Sequence, residues 1–304
     1  MDKIYDVAII GGGPSGLTGA IYALRNNKSV VVIERSVFGG QITNSPSVEN
    51  IPGFKEISGD VYGDLLLEQV ENLGGEFVFD ECIKVNSGDI ITLSFTNNKD
   101  IKAKTLIIAT GTVHRKLNVE NEDLLIGKKV HFCAVCDGSL YKDKVVCLIG
   151  GGNSALVEGN LLADICKRLV ILQDLDHFTG EEKQINKLYS HDNVEVHFNT
   201  SELNYLVLDN EFKGIKYKEN GEENVVNCDG VFLAIGLVPN NQMFSDLLEI
   251  DEKGYFISDE VRTKYANIFV AGDCRRKKLR QVVTATSDGA LAATLANEYL
   301  GENK

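Results

Sequence analysis

The chain has 304 residues, enough for about two domains, with 43% hydrophobic and 25% charged residues. Its net charge of −13 argues against nucleic acid or an anionic membrane as a partner, and its strand-sized apolar runs predict no signal peptide and no membrane-spanning helix. A cytoplasmic protein is the default expectation, and seven cysteines, mostly scattered singly, suit a reducing compartment.

VAIIGGGPSGLTGA, from Val7, is an apolar run suited to a buried parallel strand, then a glycine turn, then a helix-compatible segment. In such a unit the first glycine makes the tight turn and the second lets backbone approach a pyrophosphate. The third lets helix pack on strand. Gly11, Gly13 and Gly16 fill those places, and phosphates would sit on N–H groups at the helix start. Glu34 ends the next run, SVVVIE, where a carboxylate accepts hydrogen bonds from ribose hydroxyls. TLIIATG, Thr105 to Gly111, is predicted to close this dinucleotide-binding sheet.

CAVCDG, Cys133 to Gly138, holds the one C-x-x-C. Structural zinc needs about four ligands, and there is no second such pair, so no metal is expected. Two structural thiols are a second reading. A redox disulfide is the third, since the short loop closes with little strain and one thiolate is readily stabilised.

VCLIGGGNSALVEG, from Val146, repeats the opening unit in register, with Gly150, Gly152 and Ala155 in the glycine places. The position matching Glu34 is Gln173, within LVILQDLDHF, and Asp174 follows it. GVFLAIG, Gly230 to Gly236, closes the second sheet. NIFVAGDC, Asn267 to Cys274, is a further buried strand, and ATSDGALAATLANEYL suits a helix. This last block has no counterpart in the middle unit and is expected to complete the first domain. The predicted fold class is therefore α/β, with two Rossmann-like dinucleotide-binding domains. Residues 1–113 and 242–304 would form the first, and 114–241 the second, inserted into it. The histidines, His114, His131, His177, His191 and His197, show no triad or metal spacing and read as ordinary surface or turn residues.

Taken together, GGGPSG, GGQITNSPSVENIPG, ATG, CAVCDG, GGGNSA, AIGLVPNN, and AGDC with RQVVTA resemble the low-molecular-weight thioredoxin reductases from end to end. That resemblance implies FAD in the first domain and a homodimer. Gly11, Gly13 and Gly16 would meet the pyrophosphate and Glu34 the adenosine ribose. Gln41, Asn50 and Thr110 would lie along the cofactor, Asp273 near the ribitol chain, and Gln281 and Val282 near the isoalloxazine. Pro14, Ser15, Gly40, Gly111, Gly272 and Arg280 are counted among the cofactor contacts. A flavin makes the redox reading of C-x-x-C dominant. Cys136 is implied as the sulfur nearer the flavin, and Cys133 as the thiolate that attacks the disulfide of a thioredoxin-like protein. Asp137 is placed to shuttle the proton, although Asp-Gly is also an ordinary turn pair.

NADPH-using members carry His-Arg-Arg and a later Arg where this chain has Gln173, Asp174, Leu175 and Thr179. Arginine forks hold a 2′-phosphate well, whereas Asp174 would repel it. An NADH- or NADPH-dependent reductase is one expectation, with Asp174 on the free 2′-hydroxyl in the NADH form. A non-catalytic redox sensor is another. The favoured one is similarity to the ferredoxin-dependent flavin thioredoxin reductases, which keep the FAD domain and the cysteines and lose the NADPH clamp. Arg275, Arg276, Lys277, Lys278 and Arg280 would then steer an acidic ferredoxin to the flavin.

Overall fold

The computed structural model describes residues 3–45 and 48–302, so Pro46 and Ser47 of the motif quoted above lie outside it. The chain forms two compact units, Met1–Val113 with Val238–Lys304, and His114–Leu237. The second crossing thus comes ahead of the expected start at residue 242. Asn241 explains it: this buried side chain donates to the Gly254 and Cys274 carbonyls and accepts from Thr110 Oγ1, which ties the 240s to the first unit.

The first unit is built on a seven-stranded sheet. Ile4–Ile10 lies between Val30–Glu34 and Ile101–Ile108, all parallel, with Val7 opposite both Val30 and Thr105. Glu76–Phe79 extends one side. The long strand Ile101–Ile108 divides its other edge. Its first half pairs antiparallel with Ile91–Phe95, and its second half pairs parallel with Ile268–Val270. Strands covered on both faces need near-continuous apolar residues, and Val7–Ile10, Val30–Ile33 and Leu106–Ile108 are all buried. The helix Pro14–Arg25 opens with proline, whose fixed φ and missing N–H suit the first helical position. The helix Val282–Glu302 crosses it closely. A Cβ on Gly289 would stand 2.0 Å from the Ser15 carbonyl oxygen, so only glycine permits that approach.

The second unit repeats the plan with a five-stranded parallel sheet. Its order is Val194–His197, Arg168–Leu172, Val145–Ile149, Gly230–Leu233, Val130–His131. An antiparallel three-stranded sheet, Thr200–Leu208, Glu211–Glu219 and Glu222–Asn227, is added between its fourth and fifth elements in chain order. Tyr205, Ile215, Tyr217 and Val226 cover one face of the parallel sheet from there. Among the described residues, no helix is long and apolar enough to cross a membrane.

Candidate functional site

Each unit carries a glycine turn, one at the carboxyl end of Ile4–Ile10 and one at that of Val145–Ile149, and the two differ in the side chain that braces them. In the first, Gly11 has φ +112°, and a Cβ there would meet the Ala109 carbonyl oxygen at 2.1 Å. A Cβ on Gly16 would meet the Gly11 oxygen at 1.9 Å. Those two glycines are required by the protein's own packing. Gly13 is not: the nearest atom to its Cβ would be Gly40 Cα, at 3.8 Å. The open space in front of Gly13 is where a pyrophosphate needs to come close. Gly40 itself has φ +68° and lies against Gly13, so a second loop borders the same opening.

Glu34 accepts from Gly12 N–H and Ser36 N–H, each at 2.8 Å. The carboxylate therefore braces the turn and still has lone pairs for ribose hydroxyls. A groove beside it is lined by Ile10, Gly11, Glu34, Thr110, Asn240 and Met243.

Three buried polar atoms near this turn have no partner: Ser15 Oγ, Asp273 Oδ1 and Arg280 Nε. Buried polar groups are nearly always paired, so three orphans among residues expected to touch FAD mark a polar ligand's place. Burial pushes the Asp273 carboxyl up, with Lys277 and Arg280 opposing it. Gly272, φ +82°, sits against Ser15, which brings the Gly-Asp strand end onto the first turn. Thr110 bonds to Asn241, and Gln41 Nε2 donates to the Thr112 carbonyl at 3.4 Å. Asn50 Nδ2 donates to Gln281 Oε1 at 3.0 Å, joining residues far apart in sequence. The Arg280 guanidinium lies 3.9 Å from the Tyr255 ring centre. Gly111, φ +60°, follows Thr110, and half-buried Val282 begins the last helix. These residues fit FAD.

The basic run does not form the expected exposed patch. Arg275 grips Asp288 with Nε and Nη2, at 2.7 and 2.8 Å, and Lys277 Nζ reaches the same carboxylate at 2.9 Å. Both cationic side chains are largely buried, and together they hold the Asp288 carboxyl below its ordinary value against the effect of burial. Arg280 is turned onto Tyr255. Only Arg276 and Lys278 of the five face solvent. The reason is Asp288: a buried carboxylate needs cations or donors, and it draws two of them inward.

In the second unit, Cys133 and Cys136 form a disulfide with Cα atoms 5.4 Å apart. Cys133 precedes the one-turn helix Ala134–Asp137, and its sulfur accepts from Cys136 N–H at 3.2 Å. Cys136 is exposed. The remaining cysteines, Cys82, Cys147, Cys166, Cys228 and Cys274, are free and buried, and burial raises each thiol well above its ordinary range. They are held as unreactive thiols. No group of metal ligands occurs among the described residues. Glu158 lies behind the disulfide on the helix Asn153–Ile165. Burial pushes its carboxyl up to about 8, against a hydrogen bond from Ala134 N–H.

His131 departs from its expected place as a surface or turn residue. It is buried, with Nδ1 2.9 Å from Asp137 Oδ2 and Nε2 2.8 Å from the Tyr141 hydroxyl. The sequence did carry a signal: a histidine beside the C-x-x-C, at the end of an apolar strand, with Asp and Tyr shortly after.

The second glycine turn keeps its geometry, with Gly150 at φ +128°. The position matching Gly13 is as open here: a Cβ on Gly152 would meet nothing closer than Thr179 Oγ1, at 3.8 Å. Gln173 is buried and packs on Gly151, where a Cβ would meet its Cδ at 2.4 Å. Gln173 Nε2 donates to the His177 carbonyl. Thr179 N–H donates to Gly151 O at 2.8 Å, and Glu181 N–H to Asn153 Oδ1 at 2.6 Å. Asp174, Leu175 and Asp176 are exposed.

Residues 5–289 match the family described as Pyridine nucleotide-disulphide oxidoreductase. The chain is 38% identical to a thioredoxin reductase of Listeria monocytogenes, covering all of this chain and 96% of that one. It is 36% identical to a "34.2 kDa protein in rubredoxin operon" of Clostridium pasteurianum, over 99% of this chain and 98% of that one. The crystal structure of Lactococcus lactis thioredoxin reductase superposes with a TM-score of 0.92 at 33% identity, covering 98% of this chain and 99% of that one.

Proposed function

Since the chain belongs to the pyridine nucleotide-disulphide oxidoreductase family and is a FAD-dependent thioredoxin-disulfide reductase, we propose that its electrons come from a reduced ferredoxin-type iron–sulfur protein. They leave through Cys133 and Cys136 to a thioredoxin-like protein. One observation carries the donor half. Where a 2′-phosphate would be gripped stand buried Gln173, folded onto the glycine turn, and Asp174, with no Lys or Arg before Lys183. An unpaired carboxylate against a phosphate costs several kcal/mol in a partly desolvated pocket. The Clostridium pasteurianum relative is described as a protein in a rubredoxin operon.

A second reading has a pyridine nucleotide as donor, and the family's name and the relatives favour it over ferredoxin. The retained turn at Gly150 supports it too. NADH, with Asp174 accepting from the 2′-hydroxyl, is the form these side chains allow best.

Bound FAD would supply the link between a one-electron donor and a two-electron disulfide. The chain's part begins with holding it: the Gly11–Gly16 turn at the pyrophosphate, Glu34 at the ribose, and Ser15, Asp273 and Arg280 pairing their orphaned atoms. Cys133, as thiolate, attacks the partner's disulfide, forming a mixed disulfide as the partner's S–S bond breaks. Cys136 then attacks the Cys133 sulfur, closing the pair and freeing the partner as a dithiol. Asp137 handles the proton. The resemblance further implies that the chain acts as a homodimer.

Anaerobic titration of the flavoprotein with NADPH, NADH and reduced ferredoxin, each alone, tests the donor. Fast bleaching of flavin absorbance by ferredoxin alone is expected. Fast bleaching by NADH makes Asp174 a ribose ligand, and by NADPH overturns the proposal. Cys136→Ser should keep its flavin and lose all disulfide reduction. Retained turnover in that variant would sink the assignment.

A further inference from the structure

His131 ties two other groups together behind the disulfide. Its ring is stacked on Phe232, with centroids 5.3 Å apart, and both nitrogens are in hydrogen-bond contact, Nδ1 with Asp137 and Nε2 with Tyr141. Asp137 follows Cys136 directly, and its side chain is 37% exposed, so the carboxylate spans from the buried ring to solvent.

We propose that His131 is a positioning residue for the disulfide chemistry, which with Tyr141 forms a buried relay that orients Asp137 and lets the Asp137–His131 pair hold and return a proton. The proposal rests on the thiol–disulfide reading of Cys133 and Cys136. Reducing a partner disulfide forms the Cys133–Cys136 bond, breaks the partner's S–S bond, and passes two electrons and two protons to the partner. The proton on the Cys136 thiol must leave as that sulfur attacks, and the departing sulfur must gain one. A carboxylate fixed beside Cys136 suits both transfers.

The geometry admits two protonation states. With the ring neutral, Nδ1–H donates to Asp137 and Nε2 accepts from the Tyr141 hydroxyl. With one more proton, Nδ1–H donates to Asp137 and Nε2–H donates to the Tyr141 oxygen. The first state pairs every polar hydrogen, and the second takes the acceptor from the Tyr141 hydroxyl hydrogen, so the extra proton is held against a cost and is readily returned. Burial, reinforced by the charge of Asp137, pushes the Tyr141 phenol up to about 12, so its hydroxyl stays intact at working pH. The other ionisable groups around it are Cys228 and Asp229, with Lys144 Nζ 5.4 Å from the Tyr141 ring centre.

The test uses prereduced holoenzyme, with dithiobis(nitrobenzoate) and a thioredoxin as alternative oxidants, and follows dithiol oxidation from pH 5.5 to 9.5. His131→Asn keeps an N–H donor near Asp137 but cannot take up a proton. It should slow the oxidation by about tenfold or more and remove an inflection from the pH profile, while flavin spectrum and thiol count stay unchanged. Tyr141→Phe takes away the oxygen that accepts Nε2–H, so it should move that inflection to lower pH. A wild-type profile in both variants overturns the proposal, and if His131→Asn fails to fold, Tyr141→Phe decides alone. Reaction of the wild type with the small disulfide but not with thioredoxin would refute the thioredoxin reading and leave the relay measurable.

Discussion

The two glycine turns share a strand, a turn and a helix, and both leave space in front of the second glycine, yet they differ in the residue that braces the turn, Glu34 in one and Gln173 in the other. Around Gly13 there is open space, with Ser15, Asp273 and Arg280 left unpaired. Gly152, the counterpart of Gly13, is equally open, with Thr179 Oγ1 3.8 Å from a Cβ there, and each turn accepts an N–H from a later loop, Gly39 on Gly12 O and Thr179 on Gly151 O. The backbone of the turn alone therefore does not distinguish the two. The two turns part at the residue that follows the apolar run of the next strand: a half-buried carboxylate, Glu34, in one and a buried amide, Gln173, in the other.

The sharpest way to break this comparison is to add one methyl group at the same place in each turn. Gly13→Ala should fold and weaken FAD by about a hundredfold, near 2.7 kcal/mol, read from the flavin retained on dilution. Gly152→Ala should fold, since a Cβ there meets nothing closer than Thr179 Oγ1 at 3.8 Å, and should bind FAD normally because it lies in the other unit. Equal flavin loss in both would erase the distinction.

A smaller effect comes from giving the second turn its missing cations. Asp174→Arg with Thr179→Arg should raise the rate of flavin bleaching by NADPH about tenfold, since it replaces repulsion by a fork for phosphate. No change would mean that the Gln173 packing, and not the charge, keeps the nucleotide out. Smaller again is the effect that the ferredoxin proposal assigns to Arg276 and Lys278, the two exposed cations of the basic run. Arg276→Glu with Lys278→Glu should slow reduction by ferredoxin a few-fold at low salt and flatten its salt dependence. Reversing Arg275 or Lys277 should instead lower the melting temperature, because each neutralises buried Asp288.

The smallest expected effect tests the second turn's helix. Glu158 has a folded-state pKa of about 8, above the ordinary value of 4.5. A raised carboxyl binds its proton in the folded state and releases it on unfolding, so its contribution is fully present below about pH 4.5 and is lost as pH rises to 8. Glu158→Gln should therefore flatten the fall in melting temperature across that window. An unchanged slope would show that Glu158 titrates normally.

Much of this was legible in residues that act through local spacing. Gly11, Gly13, Gly16, Glu34 and the C-x-x-C declare themselves because strand, turn and helix are contiguous in the chain. The inward turn of Arg275 and Lys277 was not legible, since it depends on Asp288 being brought under them by the packing of the last helix. His131 was missed for a different reason. Its partners lie close in sequence, but no fixed motif spacing marks them, and only the depth of the pocket beside Phe232 turns three ordinary residues into a chain. The antiparallel sheet of 200–227 was likewise absent from the sequence reading, its strands being polar on one face and therefore quiet among stronger apolar runs.

The divided edge of Ile101–Ile108 bears on how the molecule is made. Its second half waits for Ile268–Val270, and Asp273, Arg280 and Gln281 come later still. A ribosome working from the amino terminus delivers the whole of His114–Leu237 before it delivers that last strand. The disulfide-bearing unit can therefore finish folding while the cofactor-holding unit still lacks a wall. Flavin capture is on this account a late, sealing event in biosynthesis, and chains truncated before residue 268 should accumulate a folded second unit that has never held FAD.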